Sequence, residues 1–201
     1  MDLDYNSKIK EIRDYAKENK VPIMEEDGIK YLTSFIFKHN IKSILEIGSA
    51  IGYSAIVMAS VDPSIHITTI ERDQDRYLLA LKNIKNFDLE DRITLIFGDA
   101  LETKIEGEFD LIFIDAAKAQ NMNFFNKFSP NLVNKGYIIT DNMKFHGLVD
   151  KDESEIESRD LRQLVRKIKD YKKFLEESSD YYTDFVDIGD GLAVSTKNDI
   201  E

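Results

Sequence analysis

Two carboxylates and a carboxamide stand at the ends of short apolar runs, where a folded chain could bring them together. Asp115 closes FDLIFID, and Asp141 and Asn142 close GYIITDN. Such oxygen donors suit Mg²⁺, which takes few protein ligands and leaves its other octahedral positions to water and substrate. The plainer alternative is that Asp115 touches a cofactor only and that Asp141-Asn142 is turn chemistry. Lys118 follows Asp115 by three residues, on the loop into the next helix. Beside a divalent cation an ammonium gives up its proton more readily and could then accept one from a hydroxyl. Standing alone, it would read as an exposed lysine at a helix start. His146 could line the same region, whereas His39 and His66 show no partner spacing.

A second set of residues points to a bound nucleoside. Ile44–Ser54 reads ILEIGSAIGYS, a strand running into a glycine turn and then a helix. Gly48 and Gly52 permit the tight turn and a close ligand approach, and the helix from about Tyr53 aims free amides at that place. A G-x-G-x-x-G dinucleotide fingerprint would need glycine where Glu46 stands. A carboxylate there repels a pyrophosphate and suits the cationic end of S-adenosylmethionine. Glu71 ends the next strand about 20 residues beyond Gly52, where α/β nucleotide sites hold ribose hydroxyls. Asp99, followed by Ala100 in FGDA, ends the third strand within reach of an adenine. Acids at strand ends are common in so acidic a chain, but these fall in register after successive strands. Ligands of open α/β sheets bind at that edge. The expected cofactor contacts are Glu46, Gly48, Glu71, Asp99, Ala100 and Asp115.

The elements that must position these groups alternate. Apolar runs at Ser43–Ile47, Ile65–Ile70, Ile93–Phe97, Leu111–Ile114 and Tyr137–Thr140 read as strands covered on both faces. Helical stretches separate them, as in 74–86, where Tyr77, Leu78, Leu81 and Ile84 form one stripe. Helices over about 7–19 and 28–39 precede the first strand, divided by Pro22. A long helix over about 156–176 leads to strand-like segments at 182–188 and 191–196, joined by IGDG, whose Asp-Gly signals a hairpin. Five strands in α/β alternation and a terminal hairpin predict a Rossmann-like class I methyltransferase fold. Its mostly parallel seven-stranded sheet has helices on both faces. A dehydrogenase would continue with another helix-linked strand. One domain over 1–201 is expected, with residues 1–40 capping the cofactor site.

Composition narrows the classes. There is no cysteine, so thiolate metal sites, disulfides and cysteine nucleophiles are excluded. No apolar run approaches a membrane helix and no signal-peptide core opens the chain, so a cytoplasmic protein is expected. The net charge of −11 opposes general nucleic-acid binding, though a local basic patch could still serve.

LEIGSAIGYSA, IFIDAAKAQ, ITDNMKFHGLV and GDGLAVS, in that order over about three-quarters of the chain, resemble the cation-dependent O-methyltransferases, the family of catechol and caffeoyl-CoA methyltransferases. The resemblance implies that Asp115, Asp141 and Asn142 ligate Mg²⁺ (or Mn²⁺), that Lys118 is the catalytic base, and that Ser54, Glu71 and Asp99 hold S-adenosylmethionine. It also implies a homodimer. Within the family, YAKENKVPIME, DNMKFHGLVDKDE and VDIGDGLAVSTK are similar to the bacterial branch that methylates 5-hydroxyuridine at the tRNA wobble position. That likeness adds Met24 to the cofactor contacts. Members of that branch commonly carry a further helical segment ahead of the stretch matching YAKENK.

Chelation works best on two neighbouring oxygens, which both a catechol and 5-hydroxyuridine offer, so the metal site cannot choose between them. RDLRQLVRKIKDYKK carries seven basic residues against two acids. Arg159, Arg162, Arg166, Lys169 and Lys173 recur at three- and four-residue spacing on one helix face, with Leu161, Leu164, Val165 and Ile168 expected on the core side. Such a stripe is usually a solvated face. It is also a plausible phosphate track for an anticodon stem, whose unpaired wobble base can be splayed into a pocket. The remaining readings are a small catechol-like or acyl-CoA phenolic acceptor and a cofactor-binding protein without catalysis.

Overall fold

The computed structural model describes residues 3–198. Helices α1 (Leu3–Glu18) and α2 (Glu26–Lys38) precede β1 (Ser43–Ile47), α3 (Tyr53–Ala59), β2 (His66–Glu71), α4 (Gln74–Asn86) and β3 (Ile93–Phe97). There follow β4 (Phe109–Ile114), a 3₁₀ turn at Lys118–Gln120, α5 (Asn121–Phe128), β5 (Leu132–Thr140), α6 (Arg159–Glu177), β6 (Tyr181–Val186) and β7 (Leu192–Lys197). The seven strands form one sheet in the order β3-β2-β1-β4-β5-β7-β6. The first five are parallel, and the terminal hairpin adds antiparallel through β7. This is the expected Rossmann-like methyltransferase fold, with the strand order reversing between β1 and β4. At such a switch point the loops on either side diverge and leave a crevice.

Strand periodicity divides the core in two. Ile44, Leu111, Phe113 and Ile139 pack toward α2 and α3 with Leu32, Ile36 and Ile56. Their neighbours Leu45, Ile112, Ile114 and Ile138 pack toward α5 and α6 with Phe125, Phe128 and Tyr171. Alternate residues of a strand point to opposite faces, so a sheet covered on both sides needs the uninterrupted apolar runs seen here.

Two stripes differ from expectation. In α4 the inward residues are Ala80 and Ile84, while Leu78 and Leu81 are 54% and 41% exposed. At about 100° per residue Leu81 lies about 80° and Leu78 about 140° round the helix from the inward row, beyond the cover of edge strand β3. In α6 Leu161 is likewise exposed, and Val165, Ile168, Tyr171 and Leu175 supply the buried row. That helix begins at Arg159 instead of Ile156, because the Ser158 side chain caps it by accepting from Leu161 N. The residues before it form a separate 3₁₀ turn, Glu153–Glu155, closed by an Asp152 capping box. No helix among the described residues is long and apolar enough to cross a membrane.

Candidate active site

A cavity of about 450 Å³ opens at the carboxyl edge of β1, β2, β4 and β5. Its floor is the glycine turn. Gly48 has φ +95°, and a Cβ there would collide with the Asp115 carbonyl, so glycine lets the β1 and β4 loops touch. The amides of Gly48 and Ser49 donate to Ile70 O at 3.0 and 3.2 Å, which ties the turn to the end of β2. Glu71 completes the tie, one carboxylate oxygen accepting from Ala50 N and the other from Asp73 N, each at 2.8 Å. A carboxylate has about four acceptor sites, so Glu71 retains capacity toward the cavity that it lines. Asp99 accepts from Leu101 N at 2.8 Å and lies 3.7 Å from the Arg72 guanidinium. Gly48, Glu71, Asp99, Ala100 and Asp115 all face this one space.

Glu46, Ser54 and Met24 are placed elsewhere. Glu46 shares the sheet face of Ile44, two residues earlier, and therefore points under α3. There it is fully buried and accepts from the hydroxyls of Ser54 and Thr69, both at 2.5 Å. Burial pushes its carboxyl up to about 7, against the opposing pull of those two hydrogen bonds. Ser54 is thus spent on Glu46, behind the turn. Met24 is buried against Gly28, while its neighbours Pro22 and Ile23 line the cavity. Arg76, Phe124 and Phe145 also line it, though no spacing in the chain marks them.

The proposed metal donors do converge. The β4–β5 register pairs Ile114 with Thr140, so the next residues, Asp115 and Asp141, leave adjacent strands side by side. Asp115 N donates to Ile47 O and Asp141 N to Ile114 O, both at 3.0 Å, fixing where the two side chains start. Lys118 Nζ donates to Asp115 Oδ1 at 2.8 Å, the two side chains being 15% and 17% exposed. Burial and the nearby Asp115 charge push the Asp141 carboxyl up to about 7, while the Asn142 amide and Lys118 pull the other way. Asn142 holds left-handed backbone, φ +61°, and donates its N–H to Asp141 Oδ1 at 2.7 Å. Among the described residues no three His, Cys, Asp or Glu cluster at metal-binding distance. A cation here would take two carboxylates and the Asn142 amide oxygen, hard donors suited to Mg²⁺. Burial and the neighbouring Asp115 charge disfavour the charged form of Asp141, which fits such an occupant.

The basic face of α6 is largely engaged with its own chain. Arg162 donates to the carbonyls of Ile156 and Glu157, at 2.5 and 3.0 Å. Arg166 makes a two-pronged pair with Glu153, and Lys169 donates to Lys151 O. Lys173 lies 3.7 Å from Glu177, and Arg159, like Arg162 and Lys169, makes no ion pair among the described residues. Arg162, Arg166 and Lys169 pin residues 151–157, the stretch that follows the cavity-lining Phe145 and His146.

Comparisons with known proteins bear on the family and the fold. A family model described as O-methyltransferase matches residues 3–198. The caffeoyl-CoA O-methyltransferase of Populus kitakamiensis is 26% identical over 202 residues, spanning 94% of this chain and 86% of that protein. A crystal structure of a candidate caffeoyl-CoA O-methyltransferase from Staphylococcus aureus matches with a TM-score of 0.90 at 41% identity, covering 94% of this chain and 92% of that one. An O-methyltransferase from Bacillus cereus in complex with SAH shares the fold, with a TM-score of 0.81 at 23% identity over 96% of this chain and 91% of that one.

Proposed function

This chain belongs to the O-methyltransferase family and is an S-adenosylmethionine-dependent O-methyltransferase, and on that premise we propose that it methylates one of two adjacent oxygens on a planar ring. The observation that carries this reading is the Asp115–Asp141 pair on neighbouring strand ends, with the Lys118 ammonium against the first. Asp115, Asp141 and Asn142 would hold a divalent cation, Mg²⁺ or Mn²⁺. Such an ion, when bound, supplies charge that acidifies the acceptor hydroxyl and fixes its oxygen for attack.

The chain's own residues do the rest. Glu71 and Asp99 would take the ribose and adenine ends of the cofactor, and Gly48 lets the backbone approach its methionine end. Pro22 and Ile23, between the two N-terminal helices, would cap that space and exclude water. In the transfer a carbon–oxygen bond forms as the carbon–sulfur bond breaks, and the sulfonium becomes a neutral thioether. The hydroxyl proton must leave; Lys118, once it has released its ammonium proton to solvent beside a bound cation, would accept it as the neutral amine.

Two carriers of the ring meet these requirements. A small catechol-like or acyl-CoA phenol matches the substrate in the names of the relatives. A second reading is 5-hydroxyuridine at the tRNA wobble position, favoured because basic helix α6 packs beside the Lys118–Gln120 turn. The test is to incubate the protein with labelled S-adenosylmethionine, with and without EDTA. Parallel reactions contain caffeoyl-CoA, catechol or hydroxyuridine-bearing tRNA. Metal-dependent label on one acceptor is expected and identifies the carrier. Transfer that EDTA does not affect would overturn the metal reading.

A further inference from the structure

Beyond Asn142 the chain makes a turn that its own hydrogen bonds, Leu148 N to Phe145 O at 3.0 Å and Val149 N to Lys144 O at 3.2 Å, hold only in part. Phe145 and His146 both have left-handed backbone, φ +45° and +55°, and Gly147 follows at +75°. Side-chain-bearing residues stay in that region only where their surroundings hold them there. The remaining contacts come from the β6–β7 hairpin. Asp190 O accepts from Lys144 N at 2.8 Å, and Gly191 O from Met143 N at 2.9 Å. Gly191 has to be glycine, since a Cβ would meet Lys144 Cγ at 2.8 Å. The Asp190 carboxylate does the last part, its Oδ1 accepting from His146 N at 2.5 Å.

The other oxygen is informative. Asp190 is 7% exposed, and its Oδ2 is buried with no hydrogen-bond partner among the described residues. It faces His146 Nδ1 at 3.6 Å. Pinning the turn needs one acceptor, which an asparagine would provide without a buried charge. A spare carboxylate oxygen beside an imidazole has another use, which is to set the ring's orientation. That imidazole is 74% exposed, lines the cavity, and stands 5.6 Å from the Phe145 ring, which lines it too.

We propose that Asp190 is a positioning residue for acceptor binding, clamping the 143–147 turn and aiming His146 so that it grips the planar acceptor ring beside Phe145. This rests on reading the cavity as a methyl-transfer site. His146 touches the acceptor; Asp190 acts through it and takes no part in the transfer itself.

The experiment uses the full chain with Mg²⁺ and whichever of caffeoyl-CoA, catechol or hydroxyuridine-bearing tRNA the wild type methylates. His146→Ala is expected to raise the acceptor KM about tenfold with little change in kcat, and Asp190→Asn several-fold. S-adenosylhomocysteine affinity should be unchanged in both. The double variant should be no worse than His146→Ala alone, since one residue acts through the other. Additive KM effects, or a parallel fall in cofactor affinity, would overturn the proposal. Hydrogen exchange tests the clamp without turnover: Asp190→Ala should speed exchange of the His146 amide about tenfold or more, while Asp190→Asn keeps it protected. Equal protection in wild type and Asp190→Ala refutes the clamp. If the wild type methylates none of the three acceptors, the functional reading fails while the exchange result still decides the clamp.

Discussion

Replacing Glu46 with glutamine isolates a buried acid that the cavity does not use. Its carboxyl sits at about 7 in the folded protein against an ordinary 4.5, chiefly because burial disfavours the charged form. A folded-state value above the unfolded one means that the native state holds the proton more tightly. The resulting stabilisation is therefore complete below about pH 4.5 and is lost as the pH rises to about 7. A shift of that size corresponds to about 3 kcal/mol. Glutamine does not titrate, and the Ser54 and Thr69 hydroxyls can turn to meet its amide. Urea unfolding of metal-free wild type and Glu46→Gln from pH 4 to 8 reads the difference directly, since other groups contribute equally to both. The variant should gain about 3 kcal/mol on the wild type across that interval, about 1 M in the urea midpoint for a slope near 3 kcal/mol/M. A stability gap that stays constant from pH 4 to 8 would refute the buried-acid account.

The remaining expectations concern turnover and binding. Lys118→Met should lower kcat about 10²- to 10⁴-fold with cofactor affinity preserved, measured by steady-state kinetics and SAH titration. A variant that keeps its rate would remove Lys118 from the proton transfer. Asp141→Asn should abolish stabilisation by millimolar Mg²⁺ in thermal melts, where the wild type gains stability as any protein does from a ligand bound to its native state. Glu71→Gln should weaken SAH binding about tenfold by calorimetry, through loss of charge at the loop tie and in the cavity. Arg166→Glu places two like charges where Arg166 now meets Glu153, and should raise the KM of any acceptor several-fold. The swap with Glu153→Arg should restore it. Loss confined to tRNA, unrepaired by the swap, would mark Arg166 as a phosphate contact instead.

Much of the site was legible along the chain because strand ends carry it. Gly48, Glu71, Asp99, Asp115 and Asp141 each follow an apolar run, and a parallel sheet delivers such residues to one edge whatever else varies. The alternation of runs and helices likewise set the sheet and its closing hairpin. Side-chain direction was less accessible. Glu46 occupies the expected strand end yet points under α3, a matter of strand parity combined with where Ser54 and Thr69 lie. Leu78 and Leu81 carry helix-stripe spacing but fall beyond the cover of an edge strand.

Local sequence thus determined which groups reach the carboxyl edge, since the periods of strand and helix are properties of the backbone itself. Only the tertiary structure decided what those groups then meet. The basic row of α6 was visible as charge, but its engagement with residues 151–157 depends on a loop folding back across the helix. Asp115, Asp141 and Lys118 were visible as types, but their mutual approach depends on β4 and β5 lying side by side. Asp190 reaches His146 from 44 residues away, through a hairpin packed under a strained turn. Contacts between distant segments depend on packing, which spacing along one chain does not encode.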